Sequence, residues 1–412
     1  MAVAGLRGSG DWATGERPKN FREYILWRNP NGNAPIFGLM AKVKKEAVND
    51  PEFSWWDEPN DLIRLQVNGS HASGVTTINV DSADPSTSAP GNRYGVASHL
   101  KAGDLLLVEP ATDNATYNHE IIEVVSVISD TQFTCLRAAA GTSAATINDD
   151  VYLLHIGSAY AEGTGTPEAA SRNPIKYYNY TEIFKTTYEI TGTAEQTYVY
   201  TGDPVKNDKQ RKMFDHSRAI ELAILFGQRS ETTGDNGKPK RTMGGIRSFL
   251  PTATTTILTN GYTFTSIMDA ISPVFDFDTP AGDTRIAFCG NGALNYLNKL
   301  LAAGTGAAAV SLNRDSNSKV YGVQFNELII PQGRLLLKTH PLLNRHTLYT
   351  NSMFILDFSA LVWRPIRNRD TKFKDNVQTA EEDVRRGFWQ TEAGIEVRYG
   401  GLTCGYVGGF NA

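Results

Sequence analysis

A glycine-rich turn is the feature of this 412-residue chain that most invites a chemical interpretation. Gly290-Asn291-Gly292 follows a predicted strand and opens a predicted helix, as a dinucleotide-binding turn would. The third position of that pattern holds Asn295, so a tight strand-to-helix turn explains the glycines better. The chain contains neither a Walker A sequence nor a Gly-x-Ser-x-Gly sequence. We therefore predict a structural turn here.

Potential metal ligands occur close together at two places in the sequence. The first is a pair of histidines, His340 and His346, which are six positions apart. This is not the same-face spacing of a helical metal pair, so we predict histidines in surface loops. On an alternating strand, His119 and Glu123 share one face and Glu120 lies on the other. We expect these three to be solvated strand residues.

The remaining candidate ligands are scattered. Asp276, Asp278 and Asp283 surround a Pro-Ala-Gly turn, for which calcium binding is the alternative to a simple exposed loop. The three cysteines are far apart, so we predict small buried side chains, with no disulfide framework and no zinc site. These cysteines are Cys135, Cys289 and Cys404. The sequence therefore predicts no enzyme, no metal site and no cofactor.

Composition narrows the class of protein further. The 40 Lys and Arg residues against 44 Asp and Glu residues give a net charge of −4, which argues against an overall basic nucleic-acid-binding surface. A hydrophobic content of 41% predicts a folded core. No apolar signal segment and no run of 18 apolar residues occurs, so neither a signal peptide nor a membrane span is predicted.

The elements expected to position these groups begin with a polar segment over residues 1–60. It holds four of the six tryptophans, which are expected to pack on the rest of the chain or on a neighbouring subunit. A short helix is predicted over 36–47. From 61 to 160, turn residues separate six short strands, which favours a compact β module such as a small barrel. The strands are predicted at 62–67, 75–80, 104–108, 120–128, 132–137 and 151–156.

A long helix is the strongest prediction in the second half of the chain. Asp203 can cap it, Pro204 takes its first position and Gly227 ends it. Before it, two β-prone runs over 177–184 and 186–200 predict an extended antiparallel arm. After it, strands and helices mix without a βαβ repeat, which favours an α+β fold. Helices are predicted at 265–271 and 293–303, and strands at 285–289, 320–330, 334–338, 347–349 and 354–357.

The order of these parts and four short motifs resemble a known family. The motifs are Asn179–Phe184 (NYTEIF), Tyr188–Ala194 (YEITGTA), Ala219–Gly227 (AIELAILFG) and Arg241–Ile246 (RTMGGI). Together they resemble the SU-ten-like family of tailed-bacteriophage major capsid proteins, which is built on the Hong Kong 97-type (Johnson) fold. The likeness extends from about residue 20 to 410. It implies an α+β, Hong Kong 97-type fold with a β-rich insertion in or beside the extended loop.

The resemblance also implies a division of the chain into parts. They are an N-terminal arm (1–60), a β-rich insertion (61–160), an extended loop (161–202), a peripheral domain (203–276) with a spine helix (203–227), an axial domain (277–375) and a C-terminal β segment (376–412) that returns to the peripheral domain. The extended loop, taken as 177–200, is expected to lie over a neighbouring subunit.

The implied function is that of a major capsid protein of a double-stranded DNA phage, which self-assembles into the pentamers and hexamers of an icosahedral shell. The implied partners are further copies of itself, packaged DNA contacted without sequence preference, and a portal, a scaffold or maturation protease, and decoration proteins. We expect assembly in the host cytoplasm and no contact with membrane. The alternatives are an encapsulin-like cargo shell and a phage tail or adhesion protein.

Aromatic residues in the arms and a basic run are the candidates for contacts between subunits. The run comprises Arg364, Arg367, Arg369, Lys372 and Lys374 and is expected to pair with acidic residues of another subunit, with a contact to phosphate as the alternative. The candidates are Trp12, Trp27, Trp55, Trp56, Tyr178, Phe184, Tyr188, Arg364, Arg367 and Arg369. Gly244 and Gly245 are expected in a turn that bulkier residues would strain.

Overall fold

The computed structural model describes residues 35–40, 44–57, 64–81, 96–109, 119–166, 174–200, 202–259, 262–302, 312–320 and 323–410. Its described part begins with helix α1 (Pro35–Met40) and strand β1 (Glu52–Asp57). The helix predicted over 36–47 is therefore shorter than expected. The chain after it instead runs parallel to a strand near residue 363, through bridges at Lys45 and Val48.

A six-stranded antiparallel barrel follows, as the sequence predicted. The alternation of apolar and polar residues on each strand turns one face into the barrel, where Leu65, Ile78, Leu106 and Phe133 are fully buried. The strands are β2 (Arg64–Gln66), β3 (Thr77–Asn79), β4 (Asp104–Val108), β5 (Ile121–Ser129), β6 (Gln132–Ala139) and β7 (Tyr152–Ser158). They pair in the order β2-β7-β4-β5-β6-β3, and a bridge from Val67 to Val80 joins the two outer strands and closes the barrel.

The rest of the described chain mixes helices and strands. Its elements are β8 (Ile175–Tyr180), β9 (Glu182–Thr191), α2 (Gly192–Gln196), α3 (Pro204–Phe226), β10 (Ser230–Thr233), β11 (Pro239–Thr242), α4 (Ile246–Phe249), β12 (Thr255–Ile257), α5 (Phe264–Ile271), β13 (Thr284–Cys289), α6 (Asn291–Ala302), β14 (Leu312–Val320), β15 (Val323–Ile330), β16 (Gly333–Thr339), β17 (Met353–Leu356), β18 (Leu361–Pro365), β19 (Lys372–Lys374), β20 (Val384–Val397) and β21 (Gly405–Gly408). The α+β class predicted from the sequence is confirmed.

The two β-prone runs before the long helix do not pair with each other. Strand β8 pairs with β1 in an antiparallel ribbon, and β9 pairs along its whole length with β20. The predicted hairpin over 177–200 is therefore wrong, because both strands find partners far away in the sequence. The barrel lies in sequence between β1 and β8, so the β1–β8 ribbon is the extended element from which the insertion departs.

Helix α3 has the predicted bounds and the predicted cap. The Asp203 carboxylate accepts hydrogen bonds from the backbone N–H groups of Val205 and Lys206 at 2.9 and 3.2 Å, which supplies acceptors to otherwise unpaired groups. The apolar end of the helix is buried in a core with β18 and β20, and Ile220, Ile224 and Leu225 are fully covered.

A seven-stranded mixed sheet with the order β12-β21-β17-β13-β16-β15-β14 forms the second large layer, and α5 and α6 pack against it. Two details differ from the predictions. The strand predicted over 320–330 is instead the end of β14 and all of β15. The strand predicted over 347–349 is not formed, because this stretch leads into a 3-10 turn at Tyr349–Asn351.

Candidate assembly surfaces

The side chains that suggested chemistry have structural roles in the described chain. Gly290 approaches the backbone of Thr350 so closely that a Cβ there would lie 2.2 Å from its oxygen, which confirms the tight-turn interpretation. Glu120 was predicted to be solvated, but it is buried against Arg137, with its Oε1 2.6 Å from the Arg137 Nε. Burial opposes the charge of Glu120, but its hydrogen bonds to Arg137 and to backbone N–H groups outweigh it and lower its pKa. Within the described residues, no group of three or more potential metal ligands comes together.

His340 is also placed differently from the prediction, because it is completely buried. Its Nε2 lies 2.7 Å from Oε1 of Glu221, a fully buried carboxylate on α3. The same carboxylate accepts hydrogen bonds from the backbone N–H groups of Ile36 and Phe37, at 2.9 and 2.6 Å. Glu221 thus joins α1, the spine helix α3 and the segment after β16 at one point. His346 is exposed, as predicted.

The first and last of the four motifs are joined by a buried asparagine. The Asn179 Nδ2 donates to the carbonyl oxygens of Gly244 (3.0 Å) and Ile395 (2.7 Å). Its Oδ1 accepts from the backbone N–H groups of Gly244 (2.7 Å) and Tyr180 (2.8 Å). Asn179 is fully buried, so all its hydrogen-bonding capacity is used within the chain.

A second contact between the same two motifs uses Glu182. Its Oε2 accepts a hydrogen bond from the backbone N–H of Met243 at 3.1 Å, and burial raises the pKa of this carboxyl above its usual value. The sequence contains both motifs but does not show that they touch. Their contact connects the ribbon to the turn that follows the spine helix, and Asn179 also reaches β20.

The glycines of the last motif permit a close approach of backbones. A Cβ on Gly245 would lie 2.5 Å from the oxygen of Ala223 and 2.6 Å from the nitrogen of Gly227. The φ of Gly245 is −84°, so space and not backbone conformation requires glycine here. The expectation that bulk is excluded at Gly245 therefore rests on a different physical cause from the one predicted.

The inner face of the ribbon packs on its own subunit. Trp55 is only 7% exposed and stacks between Phe53 and Tyr177, with ring centroids 6.0 and 6.1 Å away, and it also contacts Phe249. The prediction that Trp55 is available to a neighbouring subunit is wrong, since the alternation along β1 points it inward. Trp12 and Trp27 lie outside the described residues.

Two other aromatic candidates are buried in the same way. Phe184 lies in the core with α3, and Tyr188 is 1% exposed. The Tyr188 hydroxyl donates to Asp375 at 2.5 Å, and burial together with this carboxylate raises its pKa to about 12. Both residues lie on an extended strand, as predicted, but that strand pairs with β20 of the same subunit.

The outer face of the ribbon carries aromatic side chains toward solvent. Trp56 is 64% exposed and lies across from Lys176, while Tyr178 is half-buried on the same face. The Arg229 guanidinium stacks 3.7 Å above the Tyr178 ring, and its Nη1 donates to the Tyr178 carbonyl oxygen. We name Trp56, Lys176, Tyr178 and Arg229 the ribbon outer face. It contains two of the predicted interface residues, Trp56 and Tyr178.

The predicted basic residues mostly pair within the chain. Arg364 contacts Glu46 and Glu396, and Arg369 contacts Glu392. Arg364 and Arg369 therefore have acidic partners within their own chain, and a contact of either with another subunit stays a prediction. Local charge spacing could not show this, because their partners come from the segment before β1 and from β20. Arg367 is exposed, and its role stays a prediction.

One exposed aromatic segment between α2 and α3 lies within the extended loop predicted over 177–200, but its residues were not among the predicted interface candidates. Tyr198 is 79% exposed, Val199 39% and Tyr200 57%. We name these three residues the aromatic knob. The run Tyr-Val-Tyr was predicted as strand on its β propensity, but the turn of α2 ends the strand before it. Large apolar groups clustered at the surface of a folded protein indicate a contact with another molecule.

Comparison with known proteins identifies the family. The sequence profile of the SU10 major capsid protein family matches residues 9–407 of this chain. The chain belongs to the SU10 major capsid protein family. The relationship suggested by the four motifs is thereby confirmed, and with it the function of a phage major capsid protein. The resemblance implied a Hong Kong 97-type fold, and the match to this family supports that expectation.

Individual proteins similar to this chain include the major capsid protein of Pseudomonas phage PaMx41, which is 24% identical over 394 residues, covering 93% of this chain and 88% of that protein. Among solved structures, the capsid of a native GTA particle has 9% identity and a TM-score of 0.44, covering 98% of this chain and 99% of the other. The capsid of Myoviridae phage XM1 has 9% identity and a TM-score of 0.42, covering 99% and 100%. In the described part of this family member, no helix combines the length and apolarity needed to cross a bilayer.

Proposed function

We propose that copies of this SU10-family protein assemble into the pentamers and hexamers of an icosahedral shell that encloses double-stranded DNA. The observation that carries the proposal is the match of the family over nearly the whole chain, 9–407. The exposed aromatic groups of the ribbon outer face and the aromatic knob support it, since a subunit that works alone has no need to expose them.

The proposed shell needs a rigid subunit, and the internal contacts supply one. Asn179, Glu182 and Glu221 tie together segments that are distant in the sequence through buried hydrogen bonds. A rigid subunit repeats the same contact geometry in every copy, so that many modest contacts add up in a closed assembly.

The predicted partners and the domain division are part of the same proposal. The portal, scaffold or maturation protease, decoration proteins and non-specific contact with DNA follow from the family resemblance, as does assembly in the host cytoplasm. The peripheral domain would be centred on α3, and the axial domain would include β13 to β17. The extended loop would be the β1–β8 ribbon in place of 177–200, and the barrel would be its insertion.

Electron microscopy of the purified protein tests the shell. We expect closed particles of uniform diameter that sediment much faster than the 45.2 kDa subunit. A chain that stays monomeric at every concentration, salt and temperature tried, with and without co-expressed partners, would contradict the proposal.

The contents of particles from phage-producing cells test the function of the shell. We expect double-stranded DNA that resists added nuclease until the particles are opened. Particles that contain a defined enzyme and no DNA would instead support the alternative of an encapsulin-like cargo shell.

A further inference from the structure

The tip of the β10–β11 hairpin carries an asparagine that is followed by a glycine. The chain contains five Asn-Gly pairs, and three of them, at Asn68, Asn236 and Asn291, lie within the described residues. Glycine has no side chain to hinder an attack of its backbone nitrogen on the side-chain carbonyl carbon of the preceding asparagine. Such an attack closes a succinimide ring, so the surroundings of each pair decide where the ring forms.

The Asn236 side chain is folded back over the peptide bond that follows it. Its Oδ1 accepts a hydrogen bond from the backbone N–H of Lys238 at 3.1 Å, which closes an Asx-turn. Because this turn spans Gly237, it holds Cγ of Asn236 beside the Gly237 nitrogen. The N–H of Lys238 also stabilises the negative charge that develops on Oδ1 during an attack.

The hairpin tip leaves room for this reaction. Asn236 and Gly237 are exposed, and a Cβ on Gly237 would meet nothing within 4 Å. The Gly237 N–H donates to the Gly234 carbonyl oxygen at 2.9 Å, and this bond has to open before the nitrogen can attack. All four residues of β10 are exposed, so local opening of the hairpin costs little free energy.

The other two described pairs are held away from the reaction. The Gly69 N–H donates to the Asp149 carboxylate at 2.7 Å, and this negative charge opposes loss of the amide proton. Gly292 lies in the first turn of α6, where a Cβ would collide with the Asn351 side chain, so its nitrogen has no space to move. Both asparagines are exposed, and the environment of the glycine therefore distinguishes these pairs from the hairpin tip.

We propose that Asn236 is a site of spontaneous deamidation in the folded subunit. The Gly237 nitrogen loses its proton to water and forms a bond to Cγ of Asn236, the Cγ–Nδ2 bond breaks, and the leaving nitrogen takes a proton from solvent and departs as ammonia. Water then opens the succinimide at either carbonyl carbon and gives aspartate or isoaspartate. The inference is independent of the proposed shell, since the reaction needs only the folded hairpin and water.

The reaction changes both the charge and the backbone of the hairpin tip. Each event adds a negative charge next to Asp235, and isoaspartate also inserts an extra carbon into the backbone before Gly237. The inserted carbon disrupts the turn, in which Gly234 now exchanges hydrogen bonds with Gly237 and Lys238. A preparation of this protein therefore becomes a mixture of hairpins as it ages.

Peptide mapping of aged protein tests the proposal. Trypsin releases residues 230–240, in which Asn236 is the single asparagine, so conversion of its amide to a carboxyl group is assigned directly. In the folded subunit at mildly alkaline pH, we expect Asn236 to react at least about tenfold faster than Asn68 and Asn291. In denaturant the three rates should agree within about threefold, because the same dipeptide is then free at each site. A rate at Asn236 no higher than the other two in the folded subunit would overturn the proposal.

The identity of the product tests the route. Asn236→Asp supplies the aspartate form of the peptide, so chromatography separates this product from isoaspartate. We expect both products from the unmodified chain, whereas conversion to aspartate alone would show direct hydrolysis of the amide and exclude the succinimide. Asn236→Gln keeps an amide on a longer side chain that cannot close the same ring. Its peptide should stay unmodified over the same period, and equal conversion there would also contradict the proposed route.

Discussion

The Asn179 side chain makes a two-way hydrogen bond with the backbone of Gly244, donating to its carbonyl oxygen and accepting from its N–H. The two residues are 65 positions apart, and each belongs to a different one of the motifs that marked the family. An amide is the side chain that supplies both a donor and an acceptor in this geometry. The contact holds the two motifs together in the folded subunit.

Loss of this amide should destabilise the subunit strongly. Asn179→Ala leaves Gly244 and Ile395 with unpaired buried backbone groups, each costing about 1–3 kcal/mol. We expect the free energy of unfolding of unassembled subunits to fall by about 3 kcal/mol or more in denaturant titrations. Asn298→Ala, on the exposed face of α6, is the matched control and should change it by less than about 0.5 kcal/mol. Equal effects of the two would contradict the role given to Asn179.

Addition of a single methyl group at Gly245 should prevent normal folding. The new Cβ in Gly245→Ala would meet backbone atoms of Ala223 and Gly227, which cannot move without disturbing the end of α3. We expect a loss of about 3 kcal/mol or more and a low yield of soluble protein. Gly74→Ala is the control, since its Cβ would meet nothing within 4 Å. Normal stability of Gly245→Ala would show that the close approach is not needed.

Replacing one carboxylate oxygen of the buried Glu221 should loosen the N-terminal segment. Glu221→Gln substitutes an amide NH2 for one of the two oxygens that lie within hydrogen-bond distance of His340 and two backbone N–H groups, and leaving a buried donor unpaired costs about 1–3 kcal/mol. We expect faster proteolytic cleavage between residues 35 and 48 than in the unmodified chain. The exposed Glu162→Gln serves as the control. Unchanged cleavage in Glu221→Gln would mean that other contacts hold α1.

His216 should make the subunit less stable in acid. It is buried between the hydroxyls of Thr186 (3.1 Å) and Thr391 (2.8 Å), and burial lowers its pKa from 6.5 to about 4. Between about pH 6.5 and 4, the unfolded chain binds a proton that the folded chain does not. The free energy of unfolding should therefore fall by about 3 kcal/mol as pH is lowered through this window, with full stability retained above it.

A comparison of pH profiles isolates this contribution. His216→Gln should show a shallower fall in the free energy of unfolding between pH 6.5 and 4, whatever its stability at pH 7. The exposed His346→Gln should keep the profile of the unmodified chain. Identical slopes for all three proteins would exclude His216 as the source.

The neighbouring tryptophans Trp55 and Trp56 should give opposite results when replaced singly. Trp55→Ala removes a buried ring and should cost the unassembled subunit about 3–5 kcal/mol. Trp56→Ala removes a mostly exposed ring and should change subunit stability by less than about 0.5 kcal/mol while reducing assembly. Denaturation of unassembled subunits and sedimentation of assembly mixtures measure the two effects. A large loss of subunit stability in Trp56→Ala would assign it to the subunit's own core.

Local features of the sequence determined much of this fold. Asp203, Pro204 and Gly227 define α3 because caps and helix-ending residues act on their immediate neighbours. The six barrel strands followed from alternation and turn residues, which are also local. The order of the motifs was sufficient to predict the family.

Only the tertiary structure decided which strands pair and which side chains are covered. Strands β8 and β9 looked like a hairpin, yet β8 pairs with β1 and β9 with β20, more than 100 and about 200 residues away. His340 and Arg364 looked like exposed polar residues until Glu221 and Glu46 were placed beside them. Trp55 and Trp56 differ only in the face of β1 to which each points. Propensity and patterning act within a few residues, whereas pairing and burial are set by contacts between distant parts of the chain, and these contacts determine which surfaces remain for assembly.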